Sequence, residues 1–127
     1  MSASGRYRPL LFEYGANDME VKHIPDQKFF SDEKMKKVNL FETNTMFTDI
    51  YCFEPGQVQK PHSHDGSDKI YCVLEGHGRF QVGEEEQQLT PMDITLAPSG
   101  VEHGVVNDSD GRLVVMVFMA PNPNVKS

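Results

Sequence analysis

Basic side chains are scarce in this chain: 12 Lys and Arg stand against 19 Asp and Glu, for a formal net charge of -7. That deficit leaves no broad cationic face for a phosphate backbone and sets nucleic-acid binding aside. Cysteine occurs only at Cys52 and Cys72, which suits reduced thiols better than a disulfide-built scaffold. Long apolar runs are missing too. The longest, Leu113 to Ala120, has eight residues, against the roughly 20 that a membrane-spanning helix needs. The opening Met1 to Arg8 lacks the apolar core of a secretory leader, so a cytoplasmic location with no membrane partner is the expectation. With 127 residues, the chain has room for one domain of ordinary composition. Neither a fixed-period repeat nor a convincing long helix is legible.

What is present is a series of short strand-like runs: 37–42, 46–54, 58–62, 69–75, 79–82, 87–89, 93–97, 101–107 and 112–119. Turn residues separate them, among them Pro55-Gly56, Asp65-Gly66, Gly76-His77-Gly78, Pro98-Ser99-Gly100 and Asp110-Gly111, and Glu84 to Glu86 read as a hairpin tip. Eight of the ten glycines fall between 56 and 111, where frequent reversals use their conformational freedom. This spacing predicts an all-β sandwich or barrel over 37–120. Residues 1–36 read as an N-terminal arm and 121–127 as a C-terminal tail. Within the arm, Met19 to Ile24 alternate as a short strand, and Phe29 to Lys36 suit a helical turn capped by Ser31 or Asp32.

The chemistry rests on histidine. In His62-Ser63-His64 the two imidazoles lie two residues apart, so on a strand they project from one face and can share a cation. The run Pro98-Ser99-Gly100-Val101-Glu102-His103 offers a third ring at the start of another strand. His77 fits an exposed bend and His23 a surface or interface position.

These residues resemble the cupin superfamily. Gly56, His62, His64 and Gly76 reproduce most of the first cupin motif, and Pro98, Gly100, His103 and Asn107 most of the second. The likeness spans roughly residues 46–120. It implies a jelly-roll barrel (a double-stranded β-helix) and a divalent metal, Fe, Mn, Ni or Zn, held by His62, His64 and His103. It also implies a homodimer and a small-molecule ligand. Two positions depart from the pattern. Met92 replaces a motif glycine, a change that suits a backbone with no need of positive φ there. Lys69 replaces the family's acidic ligand, and Asp68 beside it faces the other way on a strand.

An ammonium about 5 Å from a dication is repelled by roughly 6–7 kcal/mol at an effective dielectric near 20. Four arrangements answer this. The Lys69 stem reaches out to water or to Asp65 or Asp68; the amine is neutral; an anion lies between amine and metal; or no metal binds. Alternation places Lys69, Tyr71 and Val73 on one face, with Cys72 on the other and so remote from the histidines. Lys69, Tyr71 and Gln59 are therefore the substrate-pocket candidates, with core packing the alternative for Tyr71 and a surface strand position for Gln59. The functional expectation is a metal-dependent enzyme on a small anionic molecule, of dioxygenase, isomerase, lyase or decarboxylase type. A non-catalytic small-ligand or metal-binding module and a barrel kept only for assembly are the alternatives.

Overall fold

The computed structural model describes residues 18–125. One short helix, α1 (Ile24–Gln27), precedes nine strands: β1 (Lys36–Glu42), β2 (Phe47–Phe53), β3 (Val58–His62), β4 (Asp68–Glu75), β5 (Gly78–Val82), β6 (Glu85–Leu89), β7 (Ile94–Ala97), β8 (His103–Val106) and β9 (Leu113–Ala120). They form two antiparallel sheets, of order β1-β2-β9-β4-β7 and β3-β8-β5-β6. This is the double-sheet β-barrel architecture that the strand pattern predicts. Among the described residues no helix is long and apolar enough to cross a membrane.

The strands form where alternation lets one face be buried. On β4, Lys69, Tyr71 and Val73 are buried while their neighbours are half-buried or exposed. They stand opposite Met119, Val117 and Val115 of β9, which gives the inter-sheet core together with Tyr51, Phe53 and Phe80. β2 is buried along its whole length because its outer face is covered too. There Ile50, Cys52 and Val114 pack with Ile24 and Phe30 of the N-terminal segment.

That segment departs from its predicted form. Residues 18–23 are irregular, and Pro25 sits in the first turn of α1 rather than ending a strand, where its fixed φ suits a helix start. The turn expected over 29–36 is replaced by a bend leading into β1, in which the Glu33 N–H bonds to the Ser31 hydroxyl at 3.2 Å. Tertiary packing of Ile24 and Phe30 on the outer sheet outweighs the local pattern. The part of the predicted arm from residue 1 to 17 lies outside the described residues.

Two turns adopt the left-handed backbone conformation, one with a glycine and one without. Gly76 has φ +76°, and a Cβ there would drive into the Arg112 carbonyl oxygen, so the motif glycine is required twice over. Met92 has φ +76° as well. The turn there therefore adopts the left-handed conformation, so the condition under which methionine suits this position is not met, and its side chain is 79% exposed.

Candidate metal centre

β3 carries His62 and Gln59, and a register shift separates them: Gln59 pairs with Val105, whereas His62 pairs with His103. Three steps on β3 match two on β8, so a bulge lies at Lys60-Pro61. The space is tight, since a Cβ at Gly104 would meet the Gln59 carbonyl oxygen at 3.0 Å and the Pro61 nitrogen at 3.1 Å. Simple alternation puts residues 59 and 62 on opposite faces; the bulge brings both to the interior. Gln59 is thus not a surface strand residue. It is 6% exposed, and its side-chain oxygen accepts a 2.7 Å hydrogen bond from the Tyr71 hydroxyl.

The loops after β3 and before β8 are joined by hydrogen bonds. The Gly100 N–H donates to the His64 carbonyl at 2.8 Å, the Gly66 N–H to the Ser99 hydroxyl at 2.7 Å, and the Ser99 N–H to the Asp68 carboxylate at 2.9 Å. This stitching brings His64 beside His103. The ring centroids lie 4.8 Å apart for His62 and His64, 4.5 Å for His62 and His103, and 5.8 Å for His64 and His103. One nitrogen from each ring lies within 4.8 Å of the others.

The donor set fits a divalent metal ion. Nδ1 of His62 lies 2.9 Å from the Lys60 carbonyl oxygen and Nδ1 of His103 lies 3.0 Å from that of Val101. A carbonyl can only accept, so it fixes Nδ1 as the protonated nitrogen and leaves the Nε2 lone pair for a cation. Nε2 of His103 is buried and has no partner among the described residues. Burial, the largest cause, lowers the pKa of all three rings, and that of His103 falls to about 4; Lys69 lowers each further. Neutral imidazole, the ligating form, is therefore the resting state. His77 and His23 lie apart from this cluster and are exposed.

Lys69 does not reach water. It is 1% exposed, with Nζ 5.1 Å from the Tyr51 ring centroid and 5.2 Å from that of Tyr71. Asp68 points outward to Ser99, so it gives Lys69 no counter-ion. Desolvation brings the Lys69 pKa from 10.5 to about 7, helped by Lys37 and opposed by Asp49. Burial likewise raises the Tyr71 hydroxyl, with Tyr51 adding to it, so Tyr71 stays protonated and serves as a donor. A cavity of about 100 Å³ joins His64 and Lys69 to Lys37, Asp49 and Tyr51. Asp49, buried at 2% exposure and accepting from the Asn39 amide at 2.9 Å, was not singled out from sequence. The signal was there: an acidic residue on the face of β2 shared by Phe47, Tyr51 and Phe53. Cys72 lies on the opposite face of β4 from Tyr71, so no thiol serves the site.

Residues 49–119 match the family model for the cupin domain, Cupin_2. Among solved structures, TT1209 from Thermus thermophilus is 43% identical and superposes with a TM-score of 0.81, covering 83% of this chain and 100% of that one. KdgF from Halomonas sp. is 22% identical, with a TM-score of 0.72 and coverage of 84% and 97%. A predicted oxalate decarboxylase from Thermotoga maritima is 20% identical, with a TM-score of 0.66 and coverage of 68% and 80%. The last two likenesses are of fold.

Proposed function

The chain belongs to the cupin-domain family, and from that premise we propose that His62, His64 and His103 hold one divalent cation and that the adjoining cavity takes a small organic anion. The observation that carries this reading is the buried Nε2 of His103, left without a partner while Nδ1 is held by a carbonyl. A bound Fe, Mn, Ni or Zn ion would supply a Lewis acid with open coordination positions. The protein's own part is electrostatic. Lys69 lines the cavity, and its Nζ lies near the rings of Tyr51 and Tyr71. An anion there meets Lys69 and, through His64, the edge of the histidine cluster, which relieves the repulsion between an ammonium and a dication.

The reaction classes that fit are those of a dioxygenase, isomerase, lyase or decarboxylase. Lysine at the position of the family's acidic ligand favours a second reading, a small-ligand or metal-binding module without turnover. A homodimer, as the family resemblance implies, belongs to the same proposal and is read by light scattering.

Elemental analysis of protein purified without a histidine tag tests the metal. Near-stoichiometric metal that disappears in His62→Ala is expected. No uptake after loading with Fe(II), Mn(II), Ni(II) or Zn(II) would overturn the reading. A screen of small carboxylates then separates the two functions: turnover identifies an enzyme, and a thermal shift without turnover identifies the binding module.

A further inference from the structure

On the reading that this site takes an organic anion, we infer that Gln59 is the residue that orients a substrate carboxylate, reached through the lysine-lined cleft between β1 and β3. Gln59 is 6% exposed, its Oε1 is taken by the Tyr71 hydroxyl at 2.7 Å, and its Nε2 has no partner among the described residues. The Tyr71 hydroxyl has no other acceptor among those residues, so its proton fixes the amide with oxygen toward Tyr71 and nitrogen away from it. A buried amide N–H2 without an acceptor is costly, and such groups are retained where a ligand completes them. The bulge at Lys60-Pro61 places this donor on the inner face, one pairing step from His62 and His103.

Gln59 also forms part of the wall of a cleft of about 750 Å³ between the outermost strands of the two sheets, β1 and β3. Lys34, Lys36, Lys37 and Lys60 line it, with Glu33 the single acidic residue. Four of the chain's 12 basic residues therefore meet at one opening of a protein that carries 19 acidic ones. Such a local positive field draws anions in and leaves neutral analogues behind. Lys37 lines the smaller cavity at His64 and Lys69 as well, so the cleft and the site share a wall. An amide nitrogen donates and cannot accept, which selects a carboxylate oxygen over a neutral donor.

Malonate is the probe, with neutral malonamide as its control, titrated by calorimetry into manganese-loaded protein. Wild type binds malonate and not malonamide. Gln59→Met keeps length and removes the donor together with the acceptor of the Tyr71 hydroxyl, so the malonate Kd rises at least about tenfold, the effect of losing a hydrogen bond to a charged group; Gln59→Glu retains that acceptor. Gln59→Glu keeps the shape and replaces the donor with a carboxylate, so it binds more weakly still; it serves if the methionine variant does not fold. Manganese content stays at the wild-type level in both, because the histidines are untouched. A malonate Kd within twofold of wild type in the folded variants overturns the inference and leaves the metal reading standing. If wild type takes up no metal, the metal reading fails alone, and the same Kd ratios on metal-free protein still judge Gln59. Wild type that binds none of malonate, oxalate and succinate, loaded or metal-free, overturns the role of Gln59.

Discussion

Replacing Lys69 with methionine should stabilise this protein, and by an amount that depends on pH in a defined way. The unfolded chain keeps the lysine proton up to its ordinary pKa of 10.5, whereas the folded chain releases it at about 7. Below 10.5 folding must therefore expel a proton or bury an ammonium. The penalty is fully present below about pH 7 and fades as the pH rises from there to 10.5. Each pH unit in that window is worth about 1.4 kcal/mol. Wild type thus forfeits about 4 kcal/mol at pH 7, about 2 at pH 9 and almost nothing near 10.5. Methionine fills a similar volume between the Tyr51 and Tyr71 rings and carries no charge. Urea unfolding of both proteins at pH 7, 8, 9 and 10 reads the difference, and titrations common to the two cancel. A difference that stays flat across that range would show that the amine is not stripped of its proton by the fold. A variant less stable than wild type at pH 7 would refute the reasoning outright.

Met92→Gly should raise stability by about 1 kcal/mol, because glycine adopts positive φ without strain and the 79% exposed methionine gives up little packing. Differential scanning calorimetry should then show Tm higher by about 3–5 °C; an unchanged Tm would mean that the turn relaxes around methionine at no cost. Asp68→Ala removes the acceptor of the Ser99 N–H and loosens the loop that delivers His103, so metal affinity should fall by about tenfold. Competition with a chromophoric chelator measures this, and equal affinity in the two proteins would show that the loop holds its shape without Asp68.

Much of the barrel was legible because its code is local. All nine strand-like runs of the sequence appear as strands, with ends agreeing within two residues, since turn residues and alternation act over short distances. The histidine cluster was legible because His62 and His64 share a face and the Pro98–His103 run marks the partner strand. For Gln59 the sequence left a pocket position and a surface strand position both open, and the bulge decides its burial. No residue type announces a bulge at Lys60-Pro61; the proline permits it, and the pairing with β8 decides it. The fate of Lys69 depends on what surrounds it in three dimensions, and burial between two tyrosine rings cannot be counted off a strand. The N-terminal segment was misread for the same reason. Its alternation was real, but the outer face of the sheet recruits Ile24 and Phe30 and sets the path.

The hydrogen bonds from Gly100 to His64 and from Ser99 to Asp68 have an outcome for assembly of the molecule itself. They splice two segments that are far apart along the chain, and each segment alone carries an incomplete set of rings. Of the three clustered rings, a fragment ending before β8 holds only His62 and His64, and one beginning after β4 holds only His103. The three rings therefore come together only when β3 pairs with β8 inside one sheet, and neither half carries the full set.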